Sequence, residues 1–368
     1  MKQFFLFITL LIFTNSKSAT EYFEGTIGNS KMYLSIETYE NNEIGGVYFY
    51  EKSLKDIPLS GKKFKNKYVL TFGNLYDLKN FTEKFEFEKK GTDYKGFWTN
   101  NKGKNLAIVL KKLDISTYKN TYFINISNEM DLVKMAFLQF KTDSTSTFKT
   151  HEFEWLTELH GATPFLRLGK TFNSRTQNFI NRKLEKKQVE MALSQLSCSD
   201  FNNYSNGNGI EYYVKISYLD TNLLGFDVSS SWYCGGAHPD FGSEGNLIDL
   251  NTGKFFELDE IIAFDSSVTT EQVGGFEAYA EYKSNYFAPK IYELINDEQH
   301  FEKPKDEDDY CDFTDLELWN FVEWSFTEKG ITITPYFYRA ARACQEPFLI
   351  PFEKLKPYKN STFPYNFK

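Results

Sequence analysis

Histidine is scarce in this chain of 368 residues, and its few copies do not form a metal motif. The four residues are His151, His160, His238 and His300. No H-E-x-x-H spacing occurs, and the first two histidines are nine residues apart, which gives them no common face. We therefore expect neither a catalytic metal ion nor another cofactor.

Cysteine is also rare, and no two copies form a C-x-x-C pair. The sequence thus lacks the spacing of zinc ribbons and of thioredoxin-type sites. The four residues are Cys198, Cys234, Cys311 and Cys344. In an exported chain an even number of cysteines indicates disulfides, and four cysteines allow three different pairings.

Long apolar runs are absent except for Phe4–Phe13, and ten residues are too few for a membrane-spanning helix, which needs about 20. Lys2 precedes this run, and polar and small residues follow it. The pattern predicts a secretory signal peptide at 1–19, cleaved near Ser18 or Ala19. The alternative is a buried first strand. The mature protein is expected in the periplasm or outside the cell, without a transmembrane segment.

Basic residues are outnumbered, with 42 Lys and Arg against 50 Asp and Glu and a formal net charge of −8. Loss of Lys2 and Lys17 with the signal peptide would change this charge to −10. We expect no nucleic-acid partner, because nucleic-acid binding needs a basic surface. An acidic protein instead attracts basic partners, over a range that salt limits.

Aromatic residues are abundant, at 18% of the chain. They fit a β-rich core built from Phe and Tyr, or platforms on which sugar rings stack. The first interpretation is favoured by residues 20–113, where short alternating segments are separated by turn residues. The predicted strands are Tyr22–Ile27, Lys31–Glu37, Gly46–Glu51, Tyr68–Phe72, Lys84–Glu88, Tyr94–Trp98 and Asn105–Lys111.

This regular spacing predicts a small all-β domain at 20–113, an antiparallel meander that closes into a barrel or sandwich. The segments Gly45–Tyr50, Leu59–Gly61 and Lys95–Trp98 resemble a small β module of some exported bacterial proteins. Residues 114–150 are polar and mixed, and we interpret them as a connecting segment with one strand at Lys134–Phe140. The run Thr142–Thr147 contains only Ser, Thr and Asp, which is typical of a linker.

The helix and hairpin signals in residues 151–362 predict a second domain, of the α+β class. Ser174 and Gln177 have the spacing of a capping box, which begins a helix that reaches about Leu196. A second helical stretch is interrupted at Pro289. Two hairpins are predicted, the first from Tyr212–Tyr218 and Leu224–Trp232, the second from Asn320–Thr327 and Ile331–Arg339.

The second domain resembles a bacterial cell-envelope domain of unknown function over about 165–357. The matching residues are Gly235, Gly236, Ala237, His238, Pro239, Asp249, Thr252, Gly253 and Lys254, followed by Trp324, Phe326, Thr327, Gly330, Ile331, Tyr336, Tyr338 and Ile350-Pro351-Phe352. That domain occurs in the extracellular part of the lysozyme-sensing anti-sigma factor and ahead of the catalytic domain of some peptidoglycan deacetylases. The resemblance implies an antiparallel sheet with helices packed on one side.

Hairpin geometry selects one of the three cysteine pairings. The first hairpin turns near residue 220, so Cys234 lies opposite about residue 207, and Cys198, nine residues earlier, comes within reach if residues 199–209 form a loop. The second hairpin turns near residue 329, which brings Cys344 close to Cys311. Crossed pairs would have to join the two hairpins within the short Cα–Cα distance of a disulfide. We therefore predict the disulfides Cys198–Cys234 and Cys311–Cys344.

Catalytic motifs are not evident, and no residue is assigned a catalytic role. Ser229–Ser231, His238 and Asp240 could form a Ser-His-Asp set, but no G-x-S-x-G elbow supports it. The carboxylate run Asp306–Asp309 lacks the alternating ligands and glycine of a calcium loop, which favours a solvated acidic loop. The Gly235–Pro239 loop is the candidate ligand-binding segment, and its contacts are expected from His238, Asp240 and Trp232.

Two functions are consistent with these features. The first is an exported, non-enzymatic envelope protein that binds lysozyme, a peptidoglycan chain or another glycan, as the resemblance implies. The second is a cell-wall hydrolase or deacetylase, which a cleft lined by carboxyl groups with shifted pKa values would favour. The ligand itself is not specified by the sequence.

The first testable prediction concerns processing of the N-terminus. Because Phe4–Phe13 has the length and flanks of a signal-peptide core, the exported protein should begin close to Ser18 or Ala19. Mass spectrometry of the protein recovered from the envelope or medium measures this terminus. Recovery of a chain that still carries Phe4–Phe13 would contradict the prediction.

Overall fold

The computed structural model describes residues 20–73, 81–198, 209–235, 238–305 and 310–367. The predicted signal peptide at 1–19 and the carboxylate run Asp306–Asp309 lie outside these residues. The chain divides into two compact units. The first unit runs up to Lys119 and includes Asn128–Val133, and the second contains Asn120–Ser127 and the residues from Lys134 onward.

The first unit is an antiparallel barrel of eight strands that closes because β1 pairs with both β2 and β8. Its strands are β1 Glu21–Ile27, β2 Ser30–Thr38, β3 Glu43–Tyr50, β4 Ile57–Phe64, β5 Lys67–Gly73, β6 Phe81–Lys90, β7 Asp93–Asn100 and β8 Asn105–Lys112. Large side chains, such as Phe23, Leu34, Tyr48 and Phe85, are fully buried inside it. The barrel interior is therefore a packed core.

All seven strands predicted for this region are present, and one strand, β4, was missed. Its sequence contains Pro58 and Gly61, which are both unusual in strands. Gly61 is needed here because a Cβ atom at this position would lie 1.9 Å from the carbonyl oxygen of Val69 on the neighbouring strand. Gly61, which is atypical of a strand, is thus the residue that permits the close pairing of β4 with β5.

The predicted strand at Lys134–Phe140 was wrong. Met130–Met135 forms the short helix α1, and the next strand, β9, is Phe140–Phe148. The Ser/Thr run Thr142–Thr147 lies within β9 and pairs with the following strand. Threonine fits an extended, solvent-exposed strand well, because its branched Cβ favours β geometry while its hydroxyl stays hydrated.

The second unit contains three antiparallel sheets with helices. The first sheet consists of β9, β10 (His151–Glu158) and β11 (Thr163–Leu168), and the second of β12 (Gly209–Leu219), β13 (Leu223–Tyr233), β14 (Asp240–Asp249) and β15 (Phe255–Phe256). The third consists of β16 (Glu323–Phe326), β17 (Gly330–Thr334) and β18 (Phe348–Pro351). The remaining helices are α2 (Ser174–Ser197), α3 (Leu258–Ile261), α4 (Glu271–Tyr282), α5 (Ala288–Gln299) and α6 (Phe352–Leu355).

The predicted helix from Ser174 to about Leu196 is present as α2, but its capping residue is Asn173 rather than Ser174. The Asn173 side-chain oxygen accepts a hydrogen bond from the backbone nitrogen of Thr176 at 2.9 Å. Asparagine is as favourable at the N-cap as serine, so Asn173 caps the helix and Ser174 becomes its first residue. Pro289 is the second residue of α5, which directly follows the π-helical turn Lys283–Phe287, and the predicted interruption of the helical stretch lies there.

The β12–β15 sheet is covered differently on its two faces. Leu224, Phe226 and Val228 of β13 face a core that includes residues of α2, here called the helix-side core. Alternate residues at the turn end of the sheet, such as Leu223 and Leu247, face a second core, here called the far-side core. A β-bulge between Ile216 and Tyr218 turns Tyr218 to the far-side core, whereas Ile216 belongs to the helix-side core.

Both disulfides join the cysteines that hairpin geometry pairs. Cys198 at the end of α2 is bonded to Cys234, with a Cα–Cα distance of 4.8 Å. Cys311 is bonded to Cys344, with a Cα–Cα distance of 5.3 Å. The two hairpins turn where expected, since Tyr212 faces Ser230 and Trp324 faces Ile333.

A buried ion pair connects α3 to a single π-helical turn, Lys283–Phe287, which separates α4 from α5. Lys283 Nζ lies 3.0 Å from an oxygen of Asp259, and each side chain is only 2% exposed. Burial lowers the pKa of Lys283 and raises that of Asp259, while the charge of each partner opposes the shift. The ammonium group also lies over the Phe287 ring, 3.2 Å from its centre.

The second prediction tests this pair. Lys283→Met should destabilise the protein by about 3–5 kcal/mol, because it leaves the Asp259 carboxylate buried without a counter-charge. The double variant Lys283→Met, Asp259→Leu should recover most of that loss, since no charge then remains in the apolar surroundings. Urea unfolding followed by circular dichroism measures both values. A double variant as unstable as the single one would show that the pair itself, and not the orphaned carboxylate, determines the loss.

Candidate groove on the open half of the sheet

The half of the sheet face that the far-side core leaves uncovered forms a groove of about 980 Å³. Side chains from three strands lie in register across its floor: Tyr213 on β12, Ser229 on β13 and Ser243 on β14. The next row toward the covered half contains Lys215, Asp227 and Gly245. A volume of this size accommodates a small oligomeric ligand.

Serine and threonine are frequent among the residues that line the groove. The lining serines and threonines are Ser217, Ser229, Ser230, Ser231, Ser243, Ser325, Thr327, Thr332 and Thr334. Ser229 Oγ and Ser243 Oγ lie 3.2 Å apart across the two central strands. Because these side chains are short, they leave space above the sheet while they present both donors and acceptors.

Strand β16 forms one wall of the groove, and two glycines allow it to lie directly on the sheet. A Cβ atom at Gly245 would lie 1.9 Å from the carbonyl oxygen of Trp324, and one at Gly225 would lie 3.1 Å from that of Phe326. Only glycine permits the first of these approaches without movement of the backbone. This crossing carries Glu323, Trp324 and Ser325 to the edge of the groove.

Two side-chain atoms of groove-lining residues are shielded from water and have no hydrogen-bond partner among the residues described, namely Ser217 Oγ and Gln345 Nε2. The carboxyl group of Asp227 and the hydroxyl of Ser325 are also shielded, and they interact with each other. A buried polar group without a partner costs about 1–3 kcal/mol, so native proteins contain few of them. The volume of the groove and these buried polar groups mark it as the candidate site.

Two carboxyl groups of the groove have raised pKa values. Burial raises the pKa of Asp227, against weaker opposing effects of the Ser325 hydroxyl and the Lys215 ammonium group. Burial also raises the pKa of Glu323, although a backbone hydrogen bond from Ser243 and the charge of Arg342 oppose the shift. Both groups therefore accept a proton more readily than exposed carboxylates do.

One end of the groove is fixed by Arg342, which lies in the 3-10 helix Arg339–Cys344 and is 8% exposed. Its guanidinium group lies over the Tyr336 ring, 4.1 Å from the centre, and donates to Asp240 Oδ1 at 3.3 Å. It also donates to Gln345 Oε1 at 2.7 Å. The start of β14 is thereby attached to the segment that the Cys311–Cys344 disulfide holds.

Of the three residues proposed from sequence as ligand contacts, the sheet brings two directly together, and a binding role for the three stays a prediction. Trp232 and Asp240 face each other across β13 and β14, whereas His238 is exposed in the loop between those strands. Asp240 is engaged with Arg342, which with the Phe241 backbone N–H outweighs desolvation and lowers the pKa of Asp240. Its role as the acid of a Ser-His-Asp set is therefore not supported, and Gly236 and Ala237 lie outside the described residues.

Other residues of the resemblance define a turn. Asp249 Oδ1 accepts from the backbone nitrogens of Asn251 at 2.7 Å and Thr252 at 3.1 Å. Asp249 Oδ2 accepts from the Tyr365 hydroxyl at 2.8 Å. Gly253 follows with a φ of 68°, which glycine adopts without strain. These residues stabilise the turn that connects β14 to β15, so their role in this structure is structural.

Two further observations concern metals and membranes. Within residues 20–73, 81–198, 209–235, 238–305 and 310–367, no three His, Cys, Asp or Glu side chains lie close enough together to hold a metal ion. In the same part of the chain, no helix combines the length and the hydropathy that crossing a membrane requires.

The chain was also compared with known proteins. No family model and no curated protein matches it. Two solved structures are similar to it: a DUF3298 family protein from Pseudomonas aeruginosa PAO1, with 16% identity and a TM-score of 0.31, and a DUF3298 family member from Bacteroides fragilis NCTC 9343, with 14% identity and a TM-score of 0.34. The matches cover 61% of this chain and 93% and 94% of the respective structures. Similarity at this level assigns no function.

The third prediction concerns the Asp249 turn. Hydrogen bonds from Tyr365 and from the turn outweigh desolvation and hold the pKa of Asp249 below its ordinary 3.8. The ionised carboxylate therefore stabilises the fold above about pH 4, and this contribution is lost as the pH falls through the folded-state pKa. Asp249→Asn should cost about 1–2 kcal/mol at pH 7. The difference from the wild type should shrink below pH 4, as urea unfolding at several pH values measures, and a difference that is independent of pH would contradict this assignment.

Proposed function

We propose that this protein is an exported, non-enzymatic binding protein of the bacterial cell envelope, and that its groove binds a cell-wall glycan. The observation that carries the proposal is the lining of the groove, in which serine and threonine hydroxyls lie beside the exposed rings of Tyr213 and Phe241. The two disulfides support export, because such bonds persist mainly in oxidising compartments.

The chemistry of the lining favours a sugar chain over an apolar or a highly charged ligand. Nine serines and threonines line the groove and contribute hydroxyl groups to it. Aromatic rings lie beside them, with Tyr213 68% exposed and Phe241 47% exposed. A sugar ring presents hydroxyls around its edge and C–H groups on its faces, so it can hydrogen-bond to the floor while it packs on such rings.

Lysozyme is the other ligand that the sequence resemblance implies. Its support here is the acidic balance of the chain, with a net charge of −8. The groove lining is also net acidic, with Glu211, Asp227, Glu323 and Glu328 against Lys215 and Lys329, but its hydroxyl groups and aromatic rings suit a sugar better. We therefore treat the glycan as the proposal and lysozyme as an arm of its test.

A second candidate function, a cell-wall hydrolase or deacetylase, is favoured by one observation. Asp227 and Glu323 line the same groove, and burial raises the pKa of both. Carboxyl groups with raised pKa values serve as general acids in glycosidases. Burial in a groove that only binds a ligand raises the pKa of a carboxyl group in the same way. An activity assay is therefore needed to distinguish the two functions.

The fourth prediction tests glycan binding. The mature chain should co-sediment with purified peptidoglycan, and Tyr213→Ala should weaken binding about tenfold, equivalent to about 1.4 kcal/mol, because an exposed ring is removed from the groove. Tyr338→Ala is the matched control, because Tyr338 is 56% exposed but does not line the groove. Calorimetry with soluble peptidoglycan fragments gives the affinities.

Three results would overturn this function. The first is lysozyme binding by the mature chain without glycan binding. The second is an equal loss of glycan binding in Tyr213→Ala and Tyr338→Ala. The third is release of reducing ends or acetate from peptidoglycan that Asp227→Asn or Glu323→Gln reduces by about 10²–10⁴, the usual contribution of an acid–base group.

A further inference from the structure

A second cavity, of about 410 Å³, adjoins the groove and is lined by Trp232. Its walls come from the C-terminal half of α2, through residues such as Lys187 and Glu190, and from the helix side of the β12–β15 sheet. This volume lies within the range of about 300–1,000 Å³ that is typical of ligand pockets. The groove and the second cavity share five lining residues, Tyr212, Ser230, Gly242, Ser243 and Glu323. The two spaces are therefore neighbours.

The groove and the second cavity lie on opposite faces of the sheet and meet at the edge of β14. Tyr212, Ser230 and Gly242 are in register across three strands, and Tyr212 packs against the helix-side core, so this row belongs to the helix side. Within the described part of the chain, β15 pairs with β14 only at the two residues after Asn246. The edge of β14 over residues 240–246 thus has no strand hydrogen-bonded to it, which leaves a route from one face to the other.

Glu323 marks the route around this edge. Its backbone lies on β16, the strand that forms one wall of the groove, and its carboxylate accepts a hydrogen bond from the backbone nitrogen of Ser243. A Cβ atom at Gly242, which would point to the helix side, would lie 3.2 Å from Glu323 Oε1 and 3.7 Å from the Trp232 ring. Because Gly242 has no side chain, space remains where the groove meets the cavity of Trp232.

The walls of the second cavity are fixed to each other. Cys234, two residues after Trp232, is bonded to Cys198 at the end of α2. Lys187 of α2 pairs with Glu244 of β14, at a distance of 2.5 Å. The half-buried Trp232 ring is therefore in place before a ligand arrives, which lowers the entropic cost of binding.

We infer that a single glycan chain occupies the groove, passes Gly242 at the edge of β14 and places a further sugar ring on Trp232. The inference rests on the proposed glycan-binding function and adds a second subsite to it. A sugar ring offers C–H groups to the indole, and its hydroxyl groups can donate to the Glu323 carboxylate at the junction. The protein thereby prefers a chain that is longer than the groove alone holds.

The test compares a disaccharide and an octasaccharide from peptidoglycan, by calorimetry with the mature, disulfide-bonded chain. One octasaccharide should bind per chain, at least tenfold more tightly than the disaccharide. Trp232→Ala should reduce this ratio of affinities about tenfold, because the second subsite loses its ring. Gly242→Val should also reduce it, because the new side chain fills the junction and displaces only the flexible end of Glu323. Trp155→Ala is the matched control, because Trp155 is also half-buried but lines neither space, and it should leave the ratio unchanged.

The outcomes separate the second subsite from the function itself. A full octasaccharide preference in folded Trp232→Ala or folded Gly242→Val would overturn the subsite, because the gain would then come from the length of the ligand alone. Equal affinities for the two fragments, or two octasaccharides per chain, would also overturn it and leave glycan binding standing. Binding of neither fragment would overturn the proposed function. Thermal unfolding shows whether each variant is folded, and Gly242→Val decides the question if Trp232→Ala is not.

Discussion

The crossing of β16 over the β12–β15 sheet is the constraint on which the architecture of the second unit depends. The backbone of Trp324 lies so close to Gly245 that no side chain fits between them. On one side of this crossing, Leu223, Leu247 and Phe326 are sealed into the far-side core. On the other side the same sheet face stays open. One backbone contact therefore decides which residues are core and which line the groove.

The sequence predicts the regular parts of this fold because they follow from local patterns. Alternation identifies seven barrel strands, an asparagine or serine starts α2, and the two hairpin turns determine the pairs Cys198–Cys234 and Cys311–Cys344. The failures have local causes too. Pro58 and Gly61 hide β4, and a run of exposed threonines and serines looks like a linker although it pairs as β9.

The candidate site could not be predicted in the same way, because its members are distant in sequence. Asp227, Ser325 and Gln345 are brought together only when β16 and the Arg342 segment pack on the sheet. A signal for the floor did exist, since Ser229–Ser231 is a serine run inside a strand whose neighbours are apolar. The glycine-rich loop predicted ligand contacts from its neighbours His238, Asp240 and Trp232. In the structure Asp240 is instead paired with Arg342.

The position of Cys344, directly before Gln345, has a consequence for the time at which the groove becomes competent. Until Cys344 bonds to Cys311, the 3-10 segment that carries Arg342 lacks its covalent attachment. Oxidation of these two thiols is therefore a maturation step for this wall of the groove, and it follows synthesis of the chain.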